Sequence, residues 1–305
     1  MALITVFNPA RAATYYAELL LGEGGFGTVW SGHTSYGFKV AIKLIKRTTD
    51  FQRDFQCWDA EQAIHLQCLA HPHIVSTYDQ FISPEGHFVL VMEHAVCNLK
   101  SLIAGGTRFS AKDISAIGCQ LLSAVHYLHS IGVNHRDISL SNVLWFDGAV
   151  VKLADFGISK RVLSSEEMAK TFIGHKCYLP PELLRLGYTT QKSDIYQVGL
   201  VLLALMLGRE PIPEQMAPKQ TRDMILNGAP RQLAEALIPS WGRVAEVVSV
   251  MLRRRDEFRY QTALAVWQDL EQEYKFRKLV ETVTSNSQKT LGEGGLLSLK
   301  PNQLR

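Results

Sequence analysis

Three glycines, Gly22, Gly24 and Gly27, space the run Gly-Glu-Gly-Gly-Phe-Gly, and one lysine, Lys43, ends the apolar run Val40-Ala41-Ile42-Lys43. Both features suit phosphate. Glycines let backbone N–H groups approach a ligand closely, and a cation at the end of an apolar strand neutralises phosphate charge where a surface lysine needs no such setting. The same Gly-x-Gly-x-x-Gly spacing occurs in dinucleotide-binding folds, where the third glycine opens a helix. Here Thr28-Val29-Trp30 continues as a strand, which gives a hairpin whose tip, with Phe26, can lie over phosphates and exclude water. On the glycines alone a plain Gly-rich turn stays open; Lys43, one hairpin further on, favours the phosphate reading.

With Lys43 in place, the sequence resembles the eukaryotic-type (Hanks-type) protein kinase family, from about Leu21 to Arg259. His135-Arg136-Asp137-Ile-Ser-Leu-Ser-Asn142 is similar to that family's catalytic loop, and Ala154-Asp155-Phe156-Gly157 to its metal-binding turn. The resemblance implies that Asp137 orients the acceptor hydroxyl and takes its proton. Asn142 and Asp155 would hold Mg2+, or Mn2+ in its place, against the phosphates of ATP. This division of labour suits a transition state whose negative charge spreads over the phosphoryl oxygens. His135 reads as a packed residue.

The remaining resemblance concerns architecture. Tyr178-Leu-Pro-Pro181-Glu182 is similar to the family's substrate-site and Ala-Pro-Glu segment, with Pro180 replacing Ala, and Arg259 stands where the family places the partner of Glu182. Ser193-Asp194 would open the central helix, with Asp194 holding the catalytic-loop backbone. Val29, Ala41 and Leu144 would sandwich adenine, Met92 would lie behind it, and Glu93 and Ala95 would offer backbone hydrogen bonds to its edge. The counter-charge of Lys43 is Glu61 or its neighbour Gln62. One step turns a helix by about 100°, so only one of them faces the lysine, and Glu61 is the expectation.

Two positions depart from the family. Ser139 replaces the usual lysine two residues after the catalytic Asp, and His175 replaces the usual threonine that bridges Asp and Lys. His175 either donates near Asp137, giving activity a pH dependence near neutrality, or only packs. Thr171 aligns with the usual activation-segment phosphosite, with Ser164 and Ser165 nearby and Lys160 and Arg136 able to balance a phosphate. Leu99, Ser141 and Ala204 stand where basic-directed kinases carry acids, which argues against a strong Arg preference. Tyr178 follows the Ser/Thr form. The expected activity is transfer of the γ-phosphate of ATP to Ser/Thr hydroxyls of a protein. The alternatives are a pseudokinase or ATP-binding scaffold, and a small-molecule kinase, which would lack the Pro181-Glu182 segment.

These residues need a scaffold. Strand signals run from about 15 to 94: Ala17 to Leu21, Thr28 to Trp30, Val40 to Ile45 and Phe88 to Met92, interrupted by helical periodicity from about Phe51 to Leu69. After Val96 the pattern becomes helical. Ser110-Ala-Lys-Asp113 is a capping-box-like start for a helix carrying Ile114, Ile117, Leu121, Val125 and Leu128 inward. Leu144 to Leu153 is a hairpin turned by Asp147-Gly148, and Asp194 to Leu207, apolar all round, is a buried central helix. The fold expected is α+β and bilobal. Residues 1–94 form an antiparallel-sheet N-lobe with one main helix, 95–280 a mainly helical C-lobe, and 281–305 a flexible polar tail.

Composition excludes several classes. The chain has 305 residues, 47% hydrophobic and 20% charged, which argues against wholesale disorder. Its net charge of +3 is spread along the chain, so no nucleic-acid partner is expected, and Arg253-Arg254-Arg255 reads as a solvated helix face. Five cysteines without a Cys-x-x-Cys pair fit reduced thiols better than a disulfide framework or zinc site. The longest apolar run, Val198 to Leu207, is half of the roughly 20 residues a membrane span needs. With no signal-peptide pattern, a cytoplasmic protein is expected. Oligomeric state is not legible.

Overall fold

The computed structural model describes residues 4–24, 27–45, 58, 71–155 and 176–272. The N-terminal part is a six-stranded antiparallel sheet of β1 (Ile4–Asn8), β2 (Ala13–Gly24), β3 (Gly27–Thr34), β4 (Lys39–Ile45), β5 (Thr77–Ile82) and β6 (Phe88–Glu93), in the order β1-β2-β3-β4-β6-β5. Strand side chains alternate between faces, so β4 sends Val40 and Ile42 to one side and Ala41 and Lys43 to the other. The first pair joins Val6, Ala17, Val89 and Val91 in the core of this lobe. The second pair shares its face with cross-strand partners: Val29 and Leu90 lie opposite Lys43, and Met92 lies opposite Ala41. That face continues into a second cluster, where Trp58 packs on Phe88 at a ring separation of 5.3 Å and beside Leu90.

β1 has no counterpart in the sequence reading. It pairs with the first half of β2 and is anchored by a carboxylate far along the chain. Asp79 Oδ2 accepts from Asn8 Nδ2 and from the Tyr15 hydroxyl, each at 2.7 Å. All three residues are buried, so the network satisfies what burial would otherwise penalise.

The second part is helical around a small sheet of β7 (Cys97–Asn98), β8 (Val143–Phe146) and β9 (Val150–Leu153). Phe146 pairs with Val150, so the hairpin turn contains three residues, with Gly148 and Ala149 both at positive φ. The helix α1 (Leu99–Ala104) is short. The helix α2 (Ala111–Ser130) opens as read: Ser110 accepts from Asp113 N, and Asp113 accepts from Ser110 N, a complete capping box. After α3 (Pro181–Leu186), the helix α4 (Gln191–Leu207) begins three residues before Asp194, because Thr190 and Ser193 form a second capping box. α4 is buried along nearly its whole length and packs on α2 and on Met251 and Leu252.

Arg253-Arg254-Arg255 is not a helix face. The helix before it ends at Met251, Arg253 donates to Phe258 O at 2.8 Å, and Arg254 donates to Leu226 O at 3.0 Å. Arg253 thus ties its own loop together and Arg254 ties it to the end of the helix Pro218–Asn227, roles that a charge run in sequence does not reveal. Among the described residues no helix is long and apolar enough to cross a membrane. The expected helix from about Phe51 to Leu69, apart from Trp58, and the tail 281–305 lie outside the described residues.

Candidate active site

The site is assembled from the sheet above and the helical core below. Lys43, only 7% exposed, forms an ion pair with Asp155 Oδ1. Asp155 follows β9 and sits at φ 66°, a left-handed conformation uncommon for a residue with a side chain. Desolvation by the surrounding protein pushes its carboxyl pKa up, but the charge and hydrogen bond of Lys43 outweigh this and hold it below the ordinary value. Asp155 is therefore anionic at neutral pH.

Gly27 shows why the third glycine of the loop cannot carry a side chain. Its φ is 148°, and a Cβ there would lie 2.0 Å from Leu44 O. Gly24 and Gly27 pair across the hairpin, and Gly22 pairs with Val29. Phe26 lies outside the described residues.

Asp137 and Asn142 lie in a loop held by buried polar side chains. Asn142 Nδ2 donates to Asp137 O at 2.8 Å and to Asp137 Oδ2 at 3.2 Å. Asp194, fully buried on α4, accepts from His135 N at 2.9 Å and Arg136 N at 2.8 Å, and contacts His129 Nε2 at 2.8 Å. His135 is packed, as read. Its Nε2 lies 3.1 Å from Ala154 O, so it must donate there, and its Nδ1 accepts from Asp137 N at 3.3 Å. That pattern requires the neutral imidazole, in agreement with the burial that lowers its pKa. His135 thereby ties the loop to the residue before Asp155, and Ala154 N donates to Asn142 O at 2.9 Å.

Three of the expected adenine-site residues share one sheet face. Val29, Ala41 and Met92 lie on the Lys43 face of the sheet, and Leu144 is on β8, paired with Asn98 just after the connecting segment. Glu93 N–H is taken by Ser76 O at 3.0 Å. The Glu93 carboxylate accepts from Lys152 Nζ at 2.8 and 2.7 Å and from Ser76 N at 2.7 Å. This anchor joins the sheet to β9 and was absent from the sequence reading. Ala95 lies between β6 and β7.

Glu182 and Arg259 form the expected buried pair, with Nη1 to Oε1 at 2.8 Å and Nη2 to Oε2 at 2.7 Å. Burial pushes the Glu182 carboxyl up, and the bonds and charge of Arg259 pull it further down, so it lies below its ordinary value. Leu99 and Ala204 are fully buried in the core, which explains their apolar character without reference to a substrate. Ser139 is 1% exposed, and its Oγ has no hydrogen-bond partner among the described residues. Glu61, Gln62, Phe156, Gly157, Lys160, Ser164, Ser165, Thr171 and His175 lie outside the described residues.

One functional candidate escaped the sequence reading. Gln197, buried on α4, bonds to the backbone on both sides of Asp137 and to Tyr178. Its signal was an amide inside an otherwise apolar stretch of the central helix.

A family model described as the protein kinase domain matches residues 15–287. The chain belongs to the protein kinase domain family. This kinase domain is 33% identical over 214 residues to the "Carbon catabolite-derepressing protein kinase" of Candida tropicalis, covering 69% of this chain and 34% of that protein. It is 30% identical over 215 residues to "CBL-interacting serine/threonine-protein kinase 21" of Arabidopsis thaliana, covering 70% of this chain and 51% of that one. With "Serine/threonine-protein kinase 36" of Mus musculus it shares 32% identity over 199 residues, 65% of this chain and 15% of that protein. The chain thus spans about a third of the length of the first of these relatives. Its fold is similar to that of Rad53 residues 1–466 solved in complex with AMP-PNP, at TM-score 0.67 and 24% identity, covering 82% of this chain and 62% of that one. The sheet-then-helix order described above is accordingly the bilobal kinase fold.

Proposed function

We propose that this kinase domain transfers the γ-phosphate of ATP to Ser/Thr hydroxyls of a protein substrate. The observation that carries the reading is the convergence of Lys43, the loop residues Asp137 and Asn142, and Asp155, from three separate segments, as two bonded pairs joined by the bond from Ala154 N to Asn142 O. Relatives named as serine/threonine-protein kinases support the acceptor class, and the AMP-PNP in the structural relative's title supports the nucleotide.

Each residue then has a part. Lys43 neutralises phosphate charge. Asp137 orients the acceptor hydroxyl and takes its proton, and Asn142 fixes the Asp137 carboxylate. The donors present fit Mg2+, or Mn2+ in its place. With Nδ2 committed to Asp137, Asn142 has a carbonyl oxygen left to offer, and Asp155 is a carboxylate kept ionised by Lys43. Hard oxygen donors in small number suit a metal that takes its other ligands from phosphate and water. Among the described residues no group of three His, Cys, Asp or Glu forms a self-sufficient metal cage. When bound, the ion supplies charge neutralisation at the phosphates.

In this reading residues 1–94 form the nucleotide-binding lobe, 95–280 the catalytic lobe and 281–305 a tail. Gly22, Gly24 and Gly27 cover the phosphates. Val29, Ala41, Met92, Leu144, Glu93 and Ala95 hold adenine, and Glu61 is the counter-charge of Lys43. Phosphorylation of Thr171, or of Ser164 and Ser165, regulates the domain, which acts in the cytoplasm. Phosphoamino-acid analysis of an acceptor protein labelled from γ-labelled ATP tests the specificity. Label on Ser and Thr supports it, and label confined to Tyr rejects it.

A further inference from the structure

Gln197 uses every hydrogen-bonding group that its geometry commits. Oε1 accepts from Ile138 N at 3.1 Å, while Nε2 donates to Arg136 O at 3.1 Å and to Tyr178 O at 3.2 Å. The amide orientation follows from the partners. A flipped side chain would set NH2 against an N–H and an oxygen against two carbonyls. The residue is 3% exposed and sits one helical turn beyond Asp194 on the rigid central helix.

The three bonds join two segments with different tasks. Arg136 and Ile138 flank Asp137, so their backbone groups determine where its carboxylate lies. Arg136 itself is held at φ 69°, a conformation that persists only where surrounding contacts over-determine it. Tyr178 ends the turn Lys176–Tyr178 that leads into Pro180-Pro181-Glu182. Its hydroxyl donates to Glu210 at 2.7 Å and accepts from the Leu140 backbone, and burial and Glu210 push its ionisation far up. Asp194 also holds the loop, but through the N–H groups of His135 and Arg136 and through His129. Ser139, two residues after Asp137, has a buried Oγ with no hydrogen-bond partner among the described residues. The Gln197 amide bonds both segments at once, beside the direct bond from Leu140 to Tyr178.

We propose that Gln197 is a positioning residue: its amide sets the position of the Asp137 base relative to the acceptor peptide held by the segment at Tyr178. The proposal rests on the kinase reading above, in which Asp137 is the base. The physical consequence is specific. Loosening this amide lets the base and the acceptor hydroxyl drift apart, and a misplacement of about 1 Å costs on the order of 100-fold in rate. ATP is held by Lys43 and the sheet, which Gln197 does not touch.

The test uses the full chain with a Ser/Thr acceptor peptide, and rates are normalised to nucleotide-binding sites counted by titration. Transfer by the wild type establishes the underlying reading; the variants then test Gln197. Gln197→Met keeps the length and removes all three bonds. Gln197→Glu keeps an acceptor for Ile138 N and leaves at most one donor for the two carbonyls, whatever its protonation state. For each variant kcat per site for peptide is expected to fall roughly 10- to 100-fold, with the nucleotide Kd within twofold of wild type. A merely structural role would reduce the number of binding sites or the melting temperature without lowering kcat per site. Peptide kcat within threefold of wild type in either folded variant overturns the proposal, as does a parallel loss of nucleotide affinity. If Gln197→Met does not fold, Gln197→Glu decides alone by the same two numbers.

Discussion

Lys43 and Asp155 are 112 residues apart in the chain and bonded side chain to side chain. One comes from the middle of the N-terminal sheet and the other from the end of the β9 strand of the helical lobe, so the bond spans the two lobes. Its electrostatic effect is asymmetric. It keeps Asp155 ionised despite desolvation, and it holds the cation on the face of β4 that also carries Ala41. Replacement of Lys43 by Met should lower kcat by on the order of 100-fold or more, because the preorganised charge that neutralises phosphate is lost. Steady-state transfer rates with saturating acceptor check this, and activity within tenfold of wild type would reject the assigned role.

Asp194 anchors the catalytic loop from below. Asp194→Ala leaves the N–H groups of His135 and Arg136 buried without their acceptor. Each unsatisfied buried donor costs about 1–3 kcal/mol, so a stability loss of about 2–6 kcal/mol is expected in denaturant titrations. Activity should fall with it, and Asp194→Asn should recover part of the stability by restoring one acceptor oxygen.

The Glu182–Arg259 pair should give the fold an acid limit. Glu182 has a depressed pKa in the folded state, against an ordinary value of 4.5. Its stabilisation is therefore fully present above that value and is lost as pH falls through the folded pKa. Breaking a buried pair by removing one charge costs about 3–5 kcal/mol. Unfolding of wild type and Glu182→Gln should differ by about this amount at pH 7 and converge only as pH falls below the folded pKa of Glu182. A difference independent of pH would show that the charge is not what matters.

Gly27→Ala should disturb the phosphate loop without unfolding the lobe. The added Cβ meets the Leu44 carbonyl, so the hairpin must shift away from β4. The expected readout is a raised KM for ATP at nearly unchanged peptide KM. A KM for ATP equal to that of wild type would show that the loop geometry does not govern nucleotide binding.

Much of this arrangement was legible beforehand for a physical reason. The strands β2, β3, β4 and β6 carry local alternation, and the helix from Ala111 carries its own capping box, so neighbours in sequence suffice to find them. The pairings Glu182–Arg259 and Asp194 with the loop followed from family resemblance. What stayed hidden depends on distant partners. β1 is five residues long and is secured by Asp79, 71 residues after Asn8. The Glu93–Lys152 anchor and the Gln197 bridge join residues about 60 apart or less to segments whose proximity only the fold creates. The Arg253–Arg255 run misled because its hydrogen bonds go to carbonyls that carry no sequence signature.

The most direct test of the central claim is incorporation of labelled phosphate. The purified chain is incubated with γ-labelled ATP, Mg2+ and a Ser/Thr acceptor protein, beside an Asp137→Ala control whose nucleotide binding is measured in parallel. The kinase reading predicts steady incorporation by the wild type and a rate at least roughly 100-fold lower in the variant, the scale expected for loss of a positioned base. Nucleotide binding without incorporation by the wild type, or equal incorporation by both proteins, would contradict it.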